Sequence, residues 1–294
     1  MGFTPVPELD TVLADLTARV AEVLQDNLVG VYLVGSFSQG DGNASSDCDF
    51  MVVIRADLSG PTVERLNAVH AAVYGRPDVW AQHLEGSYVP AGVWRDLASA
   101  PVEPPEGPRP ADWLDPAVGG GRATAYPLWY LNNGAASLIR SQHDNTLVTR
   151  WVFREHGVPI AGPPAETLVD PIDPEALRAE IGALAMRFGR DLASEAIPLT
   201  ALWLQGFTVL FYCRVLLSLE TASVPSKPVA MRWAMENLDR KWHPLIQRAW
   251  ANRGRQARGV GAPEQNAALT PDPADAIATV EFVRYALAYA GIDP

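Results

Sequence analysis

The sequence predicts an α+β protein, a strand-bearing N-terminal part followed by a purely helical one, on three observations. Between Val31 and Val89 short β-branched runs alternate with helical patterns, and from Asp144 onward apolar residues recur at helical spacing. A stretch crowded with proline and glycine over 98–125 separates the two. The chain has 294 residues, more than a usual single domain, so we expect two, spanning 1–125 and 126–294, with 98–125 as a linker or lid.

The elements follow in order. Leu9, Val12, Leu13, Leu16, Val20, Val23 and Leu24 form one apolar stripe, the buried side of a helix under the sheet. Val31–Val34 suits a buried strand that ends in a tight turn at Gly35-Ser36. Gly35, Gly40 and Gly42 accept torsions and close approaches that other residues resist, so this turn can aim backbone N–H groups at a phosphate. Asp47-Cys48-Asp49 then leads the apolar run Phe50–Ile54. A strand's period of two puts Asp47 and Asp49 on one face, about 7 Å apart, with Cys48 opposite. Carboxylates so close repel unless a cation lies between them, and Mg²⁺, which shares hard oxygen ligands with nucleotide phosphates, is the expected ion. Pro61 opens a helix with Leu66, Val69 and Val73 inward, and His70 is read as a surface residue. Val79–Val89 is read as a third strand, with His83, Glu85 and Ser87 on one face, Gly86 at a bulge, and Asp78 capping the turn before it. Trp129 and Tyr130 are read either as a stacking platform or as packing residues.

Strand, Gly-Ser, glycine-rich loop, Ser-Asp-x-Asp and second strand together resemble the nucleotidyltransferase superfamily typified by DNA polymerase β and the antibiotic nucleotidyltransferases. The resemblance implies a polymerase-β-like mixed sheet with helices, followed by an α-helical bundle. It also implies that Gly35, Ser36 and, more loosely, Ser46 contact the nucleotide, and that Asp47 and Asp49 hold metal. A third acid on the third strand would complete the metal set and take the proton from the attacking hydroxyl; Glu85 is the candidate and Asp78 the alternative.

The second half reads as helices opened by Pro174, Pro198 and Ser226, with a final one carrying Val280, Val283 and Leu287. Arg214, a lone cation inside an apolar helix, should meet either a buried acid or a phosphate. Lys227 stands at a helix start, where a cation is unfavourable, so it either awaits an anion or is simply exposed. The segments REHGVPIAGPPAETLVDPI, SKPVAMRWAMENL and VEFVRYAL resemble the C-terminal domain of the streptomycin/spectinomycin adenylyltransferases. That narrower resemblance implies that Arg214 and Lys227 reach the ATP phosphates. It also implies drug-binding acids just upstream of the arginine, where this chain instead has Leu202, Trp203, Leu204, Gln205 and Phe207; Asp191 or Glu195 would have to replace them.

Composition narrows the function further. With 23 basic and 34 acidic side chains the net charge is −11, which disfavours a nucleic-acid partner. No apolar run is expected to reach a membrane span and no signal peptide is evident, so the expectation is a cytoplasmic protein without a membrane partner, a monomer being slightly favoured. Two cysteines offer neither a disulfide framework nor a zinc site. The expected activity is Mg²⁺-dependent transfer of AMP from ATP to a hydroxyl of a small molecule, as in antibiotic resistance. The alternative is a nucleotide-binding regulatory module, or an AMP-transferase acting on a partner protein through the apolar helix Leu199–Leu219.

Overall fold

The structure is a computed structural model that describes residues 2–43, 46–95, 127–194, 197–253, 269 and 272–292. The predicted linker or lid over 98–125, and Glu195, lie outside the described residues. The described chain divides into two compact units, with Ile172 closing the first and Asp173 opening the second.

The first unit is built on a six-stranded sheet in the order β5-β4-β3-β2-β1-β6. Its strands are β1 (Leu28–Leu33), β2 (Cys48–Ile54), β3 (Leu84–Pro90), β4 (Leu128–Leu131), β5 (Ile139–Ser141) and β6 (Val158–Ala161). Only β2 and β3 run parallel and every other pairing is antiparallel, so the sheet is mixed, as the resemblance implies. A parallel pair needs a crossover, and α3 (Gly60–Tyr74) supplies it.

Both faces of the sheet are covered. On one side Cys48, Phe50, Val52 and Ile54 of β2 join Leu84 and Tyr88 of β3 beneath α1 (Pro7–Leu24) and α3. On the other, Met51, Val53 and Val89 pack with Trp94 of α4 (Ala91–Arg95) and Phe153 of α5 (Leu147–His156). Asp47, Asp49 and Glu85 have the parity of this second face, which places them at its open end beyond Met51 and Ser87.

The structure corrects several expectations. The predicted boundary at 125/126 falls instead at 172/173, because β4, β5 and β6 complete the sheet. Strands of three or four residues are too short for a period of two to show, and Pro159 is tolerated because β6 is an edge strand. Val79–Gln82 is a 3-10 turn rather than strand, capped by Asp78, whose Oδ1 accepts from the Trp80 N–H at 2.9 Å. Gly86 marks no bulge, since β2 and β3 stay in unbroken register; it is needed because a Cβ there would stand 2.0 Å from the Phe50 carbonyl oxygen. His70 is buried, not on the surface, with Nε2 2.9 Å from the Tyr88 hydroxyl, and burial lowers its pKa to about 4.

The second unit is helical: α6 (Pro174–Ala193), α7 (Leu202–Thr221), α8 (Lys227–Asn237), α9 (His243–Arg253) and α10 (Pro273–Tyr289). By length and composition α7 could cross a membrane, contrary to the expectation that no apolar run would. Its side chains are mostly buried against α6, α8, α9 and α10, which accounts for an apolar composition all round the helix. Trp203, 37% exposed at its first turn, is its exposed large apolar side chain.

Candidate active site

The site begins where β1 ends. Gly35 opens α2 (Gly35–Ser38) with φ of +68°, a conformation that side chains with a Cβ rarely adopt. A Cβ there would also stand 1.8 Å from Asp49 Oδ2, so glycine is required both by its torsion and by the carboxylate above it. The Ser36 hydroxyl is buried and has no hydrogen-bond partner. A buried hydroxyl left unsatisfied, one residue after the glycine beneath Asp49, is a cost to the fold. Ser46, by contrast, is buried in the turn that precedes Asp47, where its Oγ accepts from the Asn43 N–H at 3.2 Å.

Asp49 and Glu85 are register partners across the parallel β2–β3 pair, and Asp47 precedes Asp49 by one pleat. One carboxylate oxygen from each of Asp47, Asp49 and Glu85 lies within 4.8 Å of the others. The donor set is all hard oxygen and only partly exposed, which fits Mg²⁺ rather than a thiolate-seeking metal.

Tyr130, Asn133, His143 and Asp144, which the sequence did not connect with the three acids, lie around them. Tyr130 of β4 pairs with Ser87 in the sheet and donates its hydroxyl to Glu85 Oε1 at 2.5 Å. Asn133 donates Nδ2 to Asp47 Oδ2 at 3.2 Å, while its Oδ1 lies 3.0 Å from His83 Nδ1. His143 places Nε2 3.4 Å from Glu85 Oε1 and 3.6 Å from Asp144 Oδ1, and Ser87 Oγ donates to Asp144 Oδ2 at 2.6 Å. Burial pushes the Glu85 carboxyl up to about 7; His143 and the Tyr130 hydroxyl oppose the rise, while Asp47 and Asp144 add to it. Burial and the Glu85 charge raise the Tyr130 phenol, keeping it a protonated donor.

Comparison with known proteins supplies the context for this geometry. The family model described as "Aminoglycoside adenylyltransferase, C-terminal domain" matches residues 167–269. An aminoglycoside (3'') (9) adenylyltransferase of Escherichia coli is 26% identical over 286 residues, covering 95% of this chain and 94% of that protein. A Shigella flexneri protein of the same name is 25% identical over 250 residues, covering 83% of this chain and 85% of its own length. Over nearly its whole length the chain is similar to aminoglycoside adenylyltransferases. A solved spectinomycin adenyltransferase, AAD(9) from Enterococcus faecialis with ATP and spectinomycin, shares the fold, with a TM-score of 0.61 over 95% of this chain and 98% of that one at 13% identity.

Within the helical unit, Arg214 and Lys227 are brought to one corner. Arg214 donates Nε to the Pro225 carbonyl at 3.0 Å, tying α7 to the loop that leads into α8, where Lys227 is the first residue. Lys227 Nζ lies 5.9 Å from the centre of the Phe207 ring. Ser226 occupies the cap position of α8 but forms no side-chain cap bond. Leu202, Leu204 and Gln205 point inward, so the uncharged first turns of α7 expose Trp203 and, in part, Phe207.

Proposed function

We propose that this adenylyltransferase uses Mg²⁺ and ATP to transfer AMP to a hydroxyl of a small molecule, with release of pyrophosphate. The observation that carries the proposal is the convergence of Asp47, Asp49 and Glu85 oxygens within 4.8 Å. The three acids would hold Mg²⁺, which when bound supplies positive charge against the nucleotide phosphates. Gly35 lets the chain pass close beneath Asp49, and Ser36 would donate its unpartnered hydroxyl to a phosphate oxygen. Glu85 would take the proton of the acceptor hydroxyl as the new oxygen–phosphorus bond to Pα forms and the bond from Pα to the bridging oxygen breaks. Acceptor and ATP thus become the acceptor's AMP ester and pyrophosphate, with one proton left on the enzyme. Arg214 and Lys227 are proposed to neutralise the departing phosphates.

The named relatives point to aminoglycoside-like acceptors. Without acids in the first turns of α7, the acceptor proposed here is hydroxylated but less cationic than streptomycin. Dependence on ATP accords with the expected cytoplasmic location. The apolar helix that suggested a partner-docking module is largely interior to its own unit, and that reading is not carried forward. Asp49→Asn tests the proposal, since it keeps size and register but removes a charged ligand: AMP transfer should be abolished while the circular dichroism spectrum and melting temperature persist. A variant with wild-type turnover would refute it.

A further inference from the structure

Tyr130 belongs to no motif in the sequence, yet it touches the acid on which the proposed reaction turns. Its hydroxyl donates to Glu85 Oε1. Its ring lies flat against His143, with centroids 4.7 Å apart and planes 17° from parallel, and His143 Nε2 stands 3.4 Å from the same Oε1. Both neighbours therefore fall on one oxygen of the carboxylate. Asn132 Oδ1 is 3.2 Å from the Tyr130 hydroxyl, but the single hydrogen belongs to the nearer, charged acceptor.

A glutamate carboxylate turns easily about its last torsion, which has no sharp preferred wells. A donor locked into the sheet removes that freedom. Tyr130 is such a donor: it is paired with Ser87 in the β3–β4 ladder and only 4% exposed. With Asp47 and Asp144 both disfavouring charge on Glu85, a carboxylate without its tyrosine would be drawn away from the other acids.

We propose that Tyr130 is a positioning residue for AMP transfer, one that holds Glu85 by Oε1 so that the other carboxylate oxygen is presented to the acceptor hydroxyl. The proposal rests on Glu85 as the base, so the two must be separable by experiment. Tyr130→Phe keeps the ring against His143 and removes only the hydroxyl. With Mg²⁺, ATP and spectinomycin as the probe acceptor, kcat should fall about tenfold to a hundredfold while KM for ATP stays within about twofold, because misplacement of a reacting group slows chemistry without weakening nucleotide binding. A crystal structure of the variant should show Glu85 displaced from the position it holds beside Asp47 and Asp49 in wild type. The proposal is overturned if Tyr130→Phe keeps wild-type kcat, if its loss appears wholly in KM, or if Glu85 does not move. Wild-type kcat in Glu85→Gln would instead remove the base assignment on which the proposal stands.

Discussion

Replacing Glu85 with glutamine should change how stability depends on pH, by an amount the site itself sets. In the metal-free protein the Glu85 carboxyl titrates at about 7 rather than its ordinary 4.5, chiefly because it is buried. Its raised value means that the folded state keeps a proton the unfolded chain releases, so the associated stability is fully present below pH 4.5 and lost as pH rises to 7. That interval at 1.36 kcal/mol per pH unit gives a change of about 3 kcal/mol, an upper figure because the side chain is 16% exposed. His70 works the other way. Its pKa is lowered to about 4 from 6.5, so its contribution is present above 6.5 and lost as pH falls through 4. The two slopes overlap and oppose each other, which makes the wild-type curve alone uninformative. The difference between Glu85→Gln and wild type removes the His70 slope and leaves that of Glu85 with the acids and His143 coupled to it. Urea unfolding in EDTA at pH 4.5 and 7.5 should show the variant gaining up to about 3 kcal/mol relative to wild type as pH rises. Saturating Mg²⁺ should narrow that gain, because a bound cation favours the ionised carboxylate. A difference that stays constant with pH would refute the burial and crowding assigned to Glu85.

Gly35→Ala should lose AMP transfer and unfold more easily by more than about 1 kcal/mol, because the new methyl meets both a left-handed torsion and the Asp49 carboxylate; a urea titration and a turnover assay check both. Streptomycin should bind the Mg·ATP-loaded protein about a hundredfold or more weaker than it would a site with two acids, each lost charged hydrogen bond costing about 1.5 to 3 kcal/mol. Calorimetric titration decides this, and micromolar binding of streptomycin would show that acids elsewhere, such as Asp191, had taken over.

The parts of the fold legible in the sequence were those with local repetition. The α1 stripe, the β2 apolar run and the spacing of Asp47 and Asp49 each follow from a period of 3.6 or 2 within one segment. The turn at Gly35-Ser36 was legible because glycine there serves a torsion. What escaped was non-local. Tyr130 reaches Glu85 only because β4 pairs with β3 in a register that sets it against Ser87, and nothing near residue 130 announces that pairing. His143 and Asp144 meet Glu85 through β5 and the loop after it, in a stretch read as the approach to a helical half. His70 was misplaced for a different reason: a titratable side chain on the inward face of α3 becomes tolerable once the Tyr88 hydroxyl, from another element, satisfies its Nε2.

Asp47, Asp49 and Glu85 are proposed to serve transfer of AMP to a small-molecule hydroxyl. The most direct test is to incubate the purified protein with ATP labelled at the α-phosphate, Mg²⁺ and spectinomycin, and to separate the products by mass-resolved chromatography. Label should appear in an AMP ester of spectinomycin, with one pyrophosphate released per ester and none formed when EDTA is added. Label found only in unreacted ATP, or on the protein itself while spectinomycin stays unmodified, would contradict that proposal.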